Sequence, residues 1–366
     1  MMNQNEGQSP SIALRICVFI VGILLGFGSV WLLLGGGRSE VEEAARSGDG
    51  HQLQLLYLSP SGGQAQLWAY DLDTDTHTQL TDLPGSVSGL SPAPDGTGVA
   101  LALEADGGSS LWKYNFINDE AILLLDCGSD ICGSPAWSQG NVLAFSLDEI
   151  EADAPTRVWL LDMAMGGTPI LASENAGRSP VWSPDGSRLA VVDDEANVLR
   201  ILDLQGGRTE LVPSAMGVQA EWSPDGDALL FLDLELSYEP LGRIYLVDFT
   251  VGTISSIDPE GYDEADFSLP AWSPDGARFA VGVRRSGEGL GRKLILLDFS
   301  GEFLGEVADD LEVVYGSAAW SPDGRLLAFQ RFVLAAATDG PAIMLWDADN
   351  GMRLIRADAF LPAWRP

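Results

Sequence analysis

Residues that could carry out catalysis are present, but their spacing matches no known catalytic arrangement. The only two histidines are His51 and His77, and the sequence has no Gly-x-Ser-x-Gly elbow. A serine hydrolase needs that elbow with Asp and His after it, and a zinc hydrolase needs paired histidines on one helix. The 53 acidic residues leave a pair of glycosidase-type carboxylates as the open enzymatic alternative. We therefore expect a protein that is not an enzyme.

Two acidic segments have spacings close to that of a calcium-binding loop. The first is Asp71-x-Asp73-x-Asp75, with Thr76 where such a loop requires glycine. The second, Asp347-x-Asp349-Asn350-Gly351, occupies an equivalent position near the end of the chain. We interpret both as ordinary turns between strands, and we expect no metal site and no cofactor.

Cys127 and Cys132 are separated by four residues. No histidine or further cysteine lies nearby to complete a tetrahedral metal site. We expect a disulfide that pins a loop in an oxidising compartment. Two free thiols are the alternative.

The pentapeptide Trp-Ser-Pro-Asp-Gly organises the rest of the chain. Ser and Pro suit the first positions of a type I turn, and the glycine accepts the left-handed conformation that follows. An apolar run follows each copy, which predicts an antiparallel hairpin. Because the same turn recurs, we interpret its Trp, Asp and Gly as structural. These residues are Trp182, Asp185 and Gly186; Trp222, Asp225 and Gly226; Trp272, Asp275 and Gly276; and Trp320, Asp323 and Gly324.

The hairpin belongs to a four-stranded unit that is repeated seven times. Weaker copies at Pro94–Gly96 and Trp137–Gly140 extend the series upstream, at intervals of 40–50 residues. Each unit has a third strand ending in Asp or Asn, and a fourth strand after a short turn. This period is typical of β-propeller blades. The final Leu361–Trp364 matches Leu269–Trp272, so we predict that it completes the first blade and closes the ring.

The repeat resembles that of the TolB-type, WD-repeat-like β-propeller family. The resemblance covers roughly residues 51–366 and rests on the four unbroken copies of the pentapeptide. It implies an all-β, seven-bladed propeller with a protein-binding or scaffolding role outside the cytoplasm. TolB places an α/β domain before its propeller, whereas about 50 residues precede it in this chain, so TolB's own partners are not carried over. The repeat also resembles the propellers of prolyl-oligopeptidase-type peptidases.

The segment before the propeller contains a candidate membrane anchor. After a short tail, 1–15, residues 16–37 run without a charge and are long enough to cross the hydrocarbon core as a helix. A cleaved signal peptide is the alternative. Lys and Arg counts on the two sides do not decide the orientation. We expect a signal anchor, a linker at 38–50, and the propeller, 51–366, on the extracytoplasmic side.

The formal net charge is −33 at pH 7, with lysine only at Lys113 and Lys293. Such a surface repels phosphate backbones, so we expect no binding to nucleic acid. It favours solubility and attracts cations or basic partners.

Long connections are predicted on one face of the propeller. They follow the second strand at 147–156, 233–242, 284–292 and 331–341, and the fourth strand at 126–135 and 258–269. Connections of these two kinds leave a four-stranded blade at the same end. Insertions that collect on one face suggest a binding surface, in this case for a protein or peptide. The candidate contact residues are Tyr238, Tyr262, Asp263, Glu264, Arg284 and Arg285.

Overall fold

A computed structural model describes residues 53–366, apart from gaps at 151–153, 165–166, 215–216, 236–240, 263, 286, 288, 311 and 335–339. All the regular elements in these residues are β-strands, and they form seven antiparallel sheets. The prediction of an all-β, seven-bladed propeller is therefore confirmed. No helix in the described residues is long and apolar enough to cross a membrane. The predicted tail, anchor and linker, 1–50, lie outside the described residues.

Each blade has four strands, which are given below in order from the innermost to the outermost. Blade 1 pairs β29 (Phe360–Trp364) with β1 (Gln54–Ser59), β2 (Gln66–Asp71) and β3 (Thr76–Gln79). Blade 2 contains β4 (Ser86–Pro92), β5 (Gly98–Ala105), β6 (Gly108–Asn115) and β7 (Glu120–Gly128). Blade 3 contains β8 (Ile131–Trp137), β9 (Val142–Asp148), β10 (Arg157–Asp162) and β11 (Ile170–Leu171).

Blades 4 to 7 repeat this arrangement. Blade 4 contains β12 (Arg178–Trp182), β13 (Arg188–Asp193), β14 (Val198–Asp203) and β15 (Thr209–Pro213). Blade 5 contains β16 (Gly217–Trp222), β17 (Ala228–Glu235), β18 (Leu241–Asp248) and β19 (Thr253–Ser256). In blade 6 the inner strand is split into β20 (Asp266–Phe267) and β21 (Ala271–Trp272), followed by β22 (Arg278–Arg284), β23 (Lys293–Asp298) and β24 (Phe303–Ala308). Blade 7 contains β25 (Val313–Trp320), β26 (Leu326–Val333), β27 (Ala342–Asp347) and β28 (Gly351–Ala357).

The last strand closes the ring, as predicted. β29 pairs with β1 in antiparallel register, with Trp364 opposite Leu55. The next residue, Arg365, donates from Nε to the Gly96 carbonyl of blade 2 at 3.1 Å and lies over the Phe116 ring at 4.2 Å. The C-terminal strand therefore connects the first blade to both of its neighbours.

The pentapeptide turn folds as its residue types dictate. In the copy at 182–186, the Ser183 hydroxyl donates to Asp185 Oδ1 at 2.6 Å, and this carboxylate also accepts the Ser187 N–H at 3.0 Å. The hydroxyl bond holds the pKa of Asp185 at about 2, together with donors from Ser187. Gly186 has φ of +68°, the left-handed conformation that glycine adopts without strain. The same bonds recur in the other three copies, so these residues are structural.

The weaker copy in blade 3 differs in one detail. Asn141, rather than Gly140, takes the left-handed position, with φ of +59°. Its N–H donates to the Ser138 carbonyl at 3.1 Å, the bond that glycine makes in the full copies. Asparagine tolerates this conformation better than most residues.

The Asp or Asn at the end of each third strand caps the turn that follows. In all seven blades its side-chain oxygen accepts the backbone N–H two residues ahead, as Asp71 does from Asp73 at 3.0 Å. This is an Asx turn. The same turn accounts for the first Asp of each calcium-like segment, because an oxygen of Asp71 and of Asp347 accepts the backbone N–H of the turn.

The apolar core lies between the blades. The described residues form seven clusters of buried apolar side chains, one at each interface between neighbouring blades. Tryptophans of the inner strands add a directional contact. The indole Nε1–H of Trp182, Trp222, Trp320 and Trp364 donates to an inner-strand carbonyl of the preceding blade, at 2.9–3.1 Å.

The junction between blades 5 and 6 departs from this pattern. The Nε1 of Trp272 is buried and has no hydrogen-bond partner in the described part of the chain. Instead its backbone N–H donates to Glu221 Oε2 at 3.2 Å. Glu221 as a residue keeps some exposure, but protein surrounds its carboxyl group, and this burial raises the pKa to about 8. The junction therefore encloses an acidic group with one described donor.

An arginine side chain of blade 4 contacts blade 5 and stabilises the junction between them. The Arg188 guanidinium lies 4.5 Å from the Trp222 ring centre and donates to the Gly226 carbonyl. We expect Arg188→Ala to lower the free energy of unfolding by about 1–2 kcal/mol, because it removes a stacking contact and a charged hydrogen bond together. Urea denaturation measures this change. Arg325→Ala is the control, since the Arg325 side chain is 71% exposed, and equal losses in the two variants would contradict the prediction.

Candidate binding face

One end of the propeller carries the long connections, and we call it the long-loop face. It consists of the connections from second to third strands and from fourth strands to the next blade. The second-to-third connections have eight residues in blades 3, 6 and 7, at 149–156, 285–292 and 334–341, but two in blade 2, at 106–107. The connection of blade 5 was expected to be long at 233–242 but has five residues, 236–240, because β17 continues to Glu235 and β18 begins at Leu241. The connection 257–265, between β19 and β20, is also long. The opposite end carries the pentapeptide and Asx turns, which are short in every blade except blade 3, where 163–169 connect the third and fourth strands. Most of the long connections therefore lie on the long-loop face, as predicted.

The segment 126–135 was expected to be another long connection, and this expectation is wrong. β7 continues to Gly128 and β8 begins at Ile131, so two residues connect them. Cys127 and Cys132 lie in these two strands and form a disulfide, with their Cα atoms 6.3 Å apart. The crosslink therefore joins the ends of two strands of neighbouring blades.

The structure removes Tyr262 from the set of exposed contact residues. Its side chain is buried in the core between blades 5 and 6, and the exposed Arg285 covers its ring, with the guanidinium carbon 4.5 Å from the ring centre. Glu264 is exposed, with φ of +56°. Tyr238 and Asp263, the two other predicted contacts in this region, lie outside the described residues.

Arg284 belongs to a cluster that sequence reasoning did not find. The side chain of Asp266 is only 7% exposed and lies between two guanidinium groups, with Oδ2 at 2.6 Å from Arg292 Nη2 and 3.2 Å from Arg284 Nη2. Its Oδ1 accepts the Gly242 N–H at 2.9 Å. Gly242 lies in β18, Asp266 lies in β20, and the two arginines lie at the two ends of the connection between β22 and β23. No local sequence pattern indicates that these residues meet.

Acidic groups dominate other parts of the same face. A cavity of about 430 Å³ lies between blades 1 and 2, and Glu104 and Asp106 line it together with Gln64 and Ser86. In blade 3, Glu149 lies 3.6 Å from Arg157. Acidic residues also lie at blades 5 to 7, in the connections 257–265 and 309–312, so the arginines of blades 5 and 6 stand among acidic residues on this face.

The inner strands enclose a cavity of about 290 Å³. The hydroxyls of Ser88, Ser134 and Ser179, the amide of Gln219 and the side chain of Leu361 are part of its lining. No described lining residue is charged, so the carboxylate pair of the enzymatic alternative is not found among them. Among acidic residues, Glu221 is nearest in sequence to a residue of this lining, Gln219. An alignment of the repeats could have identified Glu221 as unusual, because Ala or Val precedes the inner-strand tryptophan in the other full-length repeats.

No group of three or more His, Cys, Asp or Glu side chains that could hold a metal ion occurs within the described ranges. The hydroxyl, amide and carboxylate groups of the long-loop face and of the cavity are suited to hydrogen bonding and ion pairing. The arrangement can recognise polar and charged groups.

Comparison with known proteins places the fold among propellers of several functions. No protein-family model matches the chain. The chain is 29% identical over 189 residues to the uncharacterized peptidase YuxL of Bacillus subtilis. It spans 26% and 46% of the lengths of the first two curated relatives that it matches. These matches cover 49% and 34% of the chain itself.

The chain also resembles TolB from Acinetobacter baumannii, with a TM-score of 0.50 and 18% identity over 85% of this chain and 82% of that one. It has the fold of a TolB-like propeller. A prolyl endopeptidase structure matches with a TM-score of 0.61 and 14% identity, over 85% of this chain and 50% of that one. At these identities the similarity establishes the propeller alone, because one fold supports many functions.

Proposed function

We propose that this protein is a membrane-anchored, extracytoplasmic propeller that binds a protein or peptide through its long-loop face and has no catalytic activity. The observation that carries the proposal is the concentration of long connections and charged clusters at one end of the ring. The other end repeats short turns in every blade except blade 3, where 163–169 form a longer connection. A rigid scaffold with variable loops at one end is a common design for binding. The TolB-like fold is compatible with this role.

The experiment that tests the proposal shortens the loops. Residues 285–292 and 334–341 would each be replaced by the short connection of blade 4, Asp194–Asn197. Affinity capture from detergent-solubilised membranes, followed by mass spectrometry, should then lose a partner that the unaltered chain retains. Exchange of the Asx turn 204–208 for 348–350, at the opposite end, is the control. Retention of every co-purifying protein by the shortened variants would reject the proposal.

A peptidase-related or carbohydrate-active role is the second candidate, because YuxL and a prolyl endopeptidase are among the similar proteins. Under the proposed function, we expect no turnover of prolyl peptides or of glycosides by the purified chain. The uncharged lining of the inner cavity supports this expectation. Hydrolysis that is lost in Glu221→Gln, but kept in Glu302→Gln, would favour the second candidate instead.

A further inference from the structure

A continuous surface runs across the long-loop face over blade 2. The two-residue turn 106–107 of this blade lies beside the cavity of about 430 Å³, which Gln64 of blade 1 also lines. On the other side of the turn, the Ser109 hydroxyl donates to the Asp130 carbonyl at 2.7 Å, so the turn adjoins the connection to blade 3. We call this the blade 2 surface, and it comprises Pro84, Glu104, Asp106, Asp130, Ile131 and Ile150.

Apolar side chains form part of the blade 2 surface. Ile131 is 46% exposed and Ile150 is 56% exposed. They belong to adjacent segments, because Ile131 pairs with Asp148 between β8 and β9 and the Ile150 N–H donates to Asp130 Oδ1 at 3.2 Å. Pro84 lines the cavity on the other side of the turn. A bound segment with aliphatic side chains removes these groups from water and gains hydrophobic free energy.

The charged groups among these apolar side chains are negative. Glu104 and Asp106 are exposed, and neither carboxylate has an ion-pair or hydrogen-bond partner in the part of the chain that the structure describes. Between residues 53 and 156 the sequence contains fifteen Asp and Glu residues and one basic residue, Lys113. Lys113 lies near the opposite end of blade 2, 4.9 Å from the Trp137 ring centre, so it does not neutralise the blade 2 surface.

Basic side chains of the neighbouring blades have other contacts. Arg157, at the start of β10, pairs with Glu149 at 3.6 Å. Arg356 of blade 7 lies 5.0 Å from the Trp68 ring centre. Blades 1 and 2 themselves supply neither lysine nor arginine to the long-loop face, whereas arginines accompany the acidic residues at blades 5 and 6. The blade 2 surface therefore carries a net negative charge.

We propose that the blade 2 surface binds a basic segment of the partner protein, in which Lys or Arg side chains flank aliphatic ones. The inference rests on the proposed binding function of the long-loop face and specifies the place and the chemistry of the contact. Glu104 and Asp106 attract the basic groups, while Ile131 and Ile150 contact the aliphatic ones. The net charge of −33 adds a long-range attraction that draws such a segment to the chain.

The test uses the full chain in detergent and three fluorescent synthetic peptides of equal length. The first combines Lys and Arg with Leu and Ile. The second keeps the basic residues but has Gly and Ser in place of the aliphatic ones, and the third has Asp and Glu in place of the basic ones. Fluorescence anisotropy should show the tightest binding for the first peptide, weaker binding for the second and none for the third. Added salt should weaken the binding of both basic peptides.

Variants of the chain locate this binding. Glu104→Gln combined with Asp106→Asn should weaken binding of the first peptide about tenfold, which corresponds to about 1.4 kcal/mol. Ile150→Ser should weaken binding of the first peptide and leave that of the second unchanged. Asp227→Asn combined with Glu302→Gln is the matched control, because it removes the same charge from exposed positions at the opposite end of the propeller and should leave all binding unchanged.

Equal binding of the first and third peptides, no binding of the first peptide, or equal affinities of the double variant and its matched control for that peptide would overturn the inference. Membrane capture separates this inference from the proposed function. If the loop-shortened variants lose a partner that the Glu104→Gln and Asp106→Asn double variant retains in full, the blade 2 surface is wrong while the binding face stands. If the loop-shortened variants retain every co-purifying protein, the proposed function is rejected whatever the peptides show.

Discussion

Replacement of Glu221 by Gln should increase the free energy of unfolding by about 2–4 kcal/mol at pH 8 and above. Burial raises the pKa of this carboxyl from 4.5 to about 8 in the folded chain. Between these two values the folded protein holds a proton that the unfolded chain releases. Stability therefore falls as the pH rises through this window, by up to about 1.4 kcal/mol per pH unit, and the loss is complete above the folded pKa. Glutamine is uncharged and avoids the loss.

Urea denaturation between about pH 5 and pH 9 checks this prediction. The unaltered chain and Glu221→Gln should have similar free energies of unfolding near pH 5, where the folded Glu221 is neutral. The two free energies should diverge as the pH rises. Glu302→Gln changes an exposed glutamate in the turn between β23 and β24 and is the control for net charge. Parallel pH profiles for the unaltered chain and Glu221→Gln would show that the carboxyl is not enclosed as described.

Replacement of Trp364 by Ala should lower the free energy of unfolding by about 3–5 kcal/mol, the range for removal of a large buried aromatic side chain. Trp364 is 6% exposed. It packs in the cluster that joins blades 7 and 1, and its Nε1–H donates to the Ala319 carbonyl at 2.9 Å. Because β29 supplies the inner strand of blade 1, this change weakens the closure of the whole ring. Thermal or urea denaturation gives the value.

Two further variants separate the loss of the buried ring from the loss of its hydrogen bond and from the effect of a surface substitution. Trp364→Phe keeps an aromatic ring but removes the hydrogen bond, so it should cost less than Trp364→Ala and retain cooperative unfolding. Ile117→Ala shortens an apolar side chain that is 79% exposed and should change stability little. If Trp364→Ala were as stable as Ile117→Ala, the ring would not depend on its last strand.

Local sequence determined the blades. The turn Ser183–Gly186 is specified within itself, because a hydroxyl, a carboxylate and a glycine satisfy adjacent backbone groups whatever surrounds them. The aspartates that end third strands, such as Asp71, act over two or three residues in the same way. Repetition of these short-range signals at intervals of 40–50 residues was enough to predict seven blades and closure by Leu361–Trp364. The conformation of Asn141 was missed because a neighbouring glycine gave the same turn signal.

Only the tertiary structure decided which charged and aromatic side chains meet on the long-loop face and which are buried. The sequence predicted long connections on one face, but Tyr262 is in the core and Arg284 is paired with a carboxylate. Asp266, Arg284 and Arg292 lie up to 26 residues apart and meet because two strand ends and a loop of blade 6 converge. Enclosure of Glu221 likewise depends on how blade 6 packs against blade 5. Turn chemistry is local and can be read from adjacent residues, whereas burial and charge pairing depend on segments that only folding brings together.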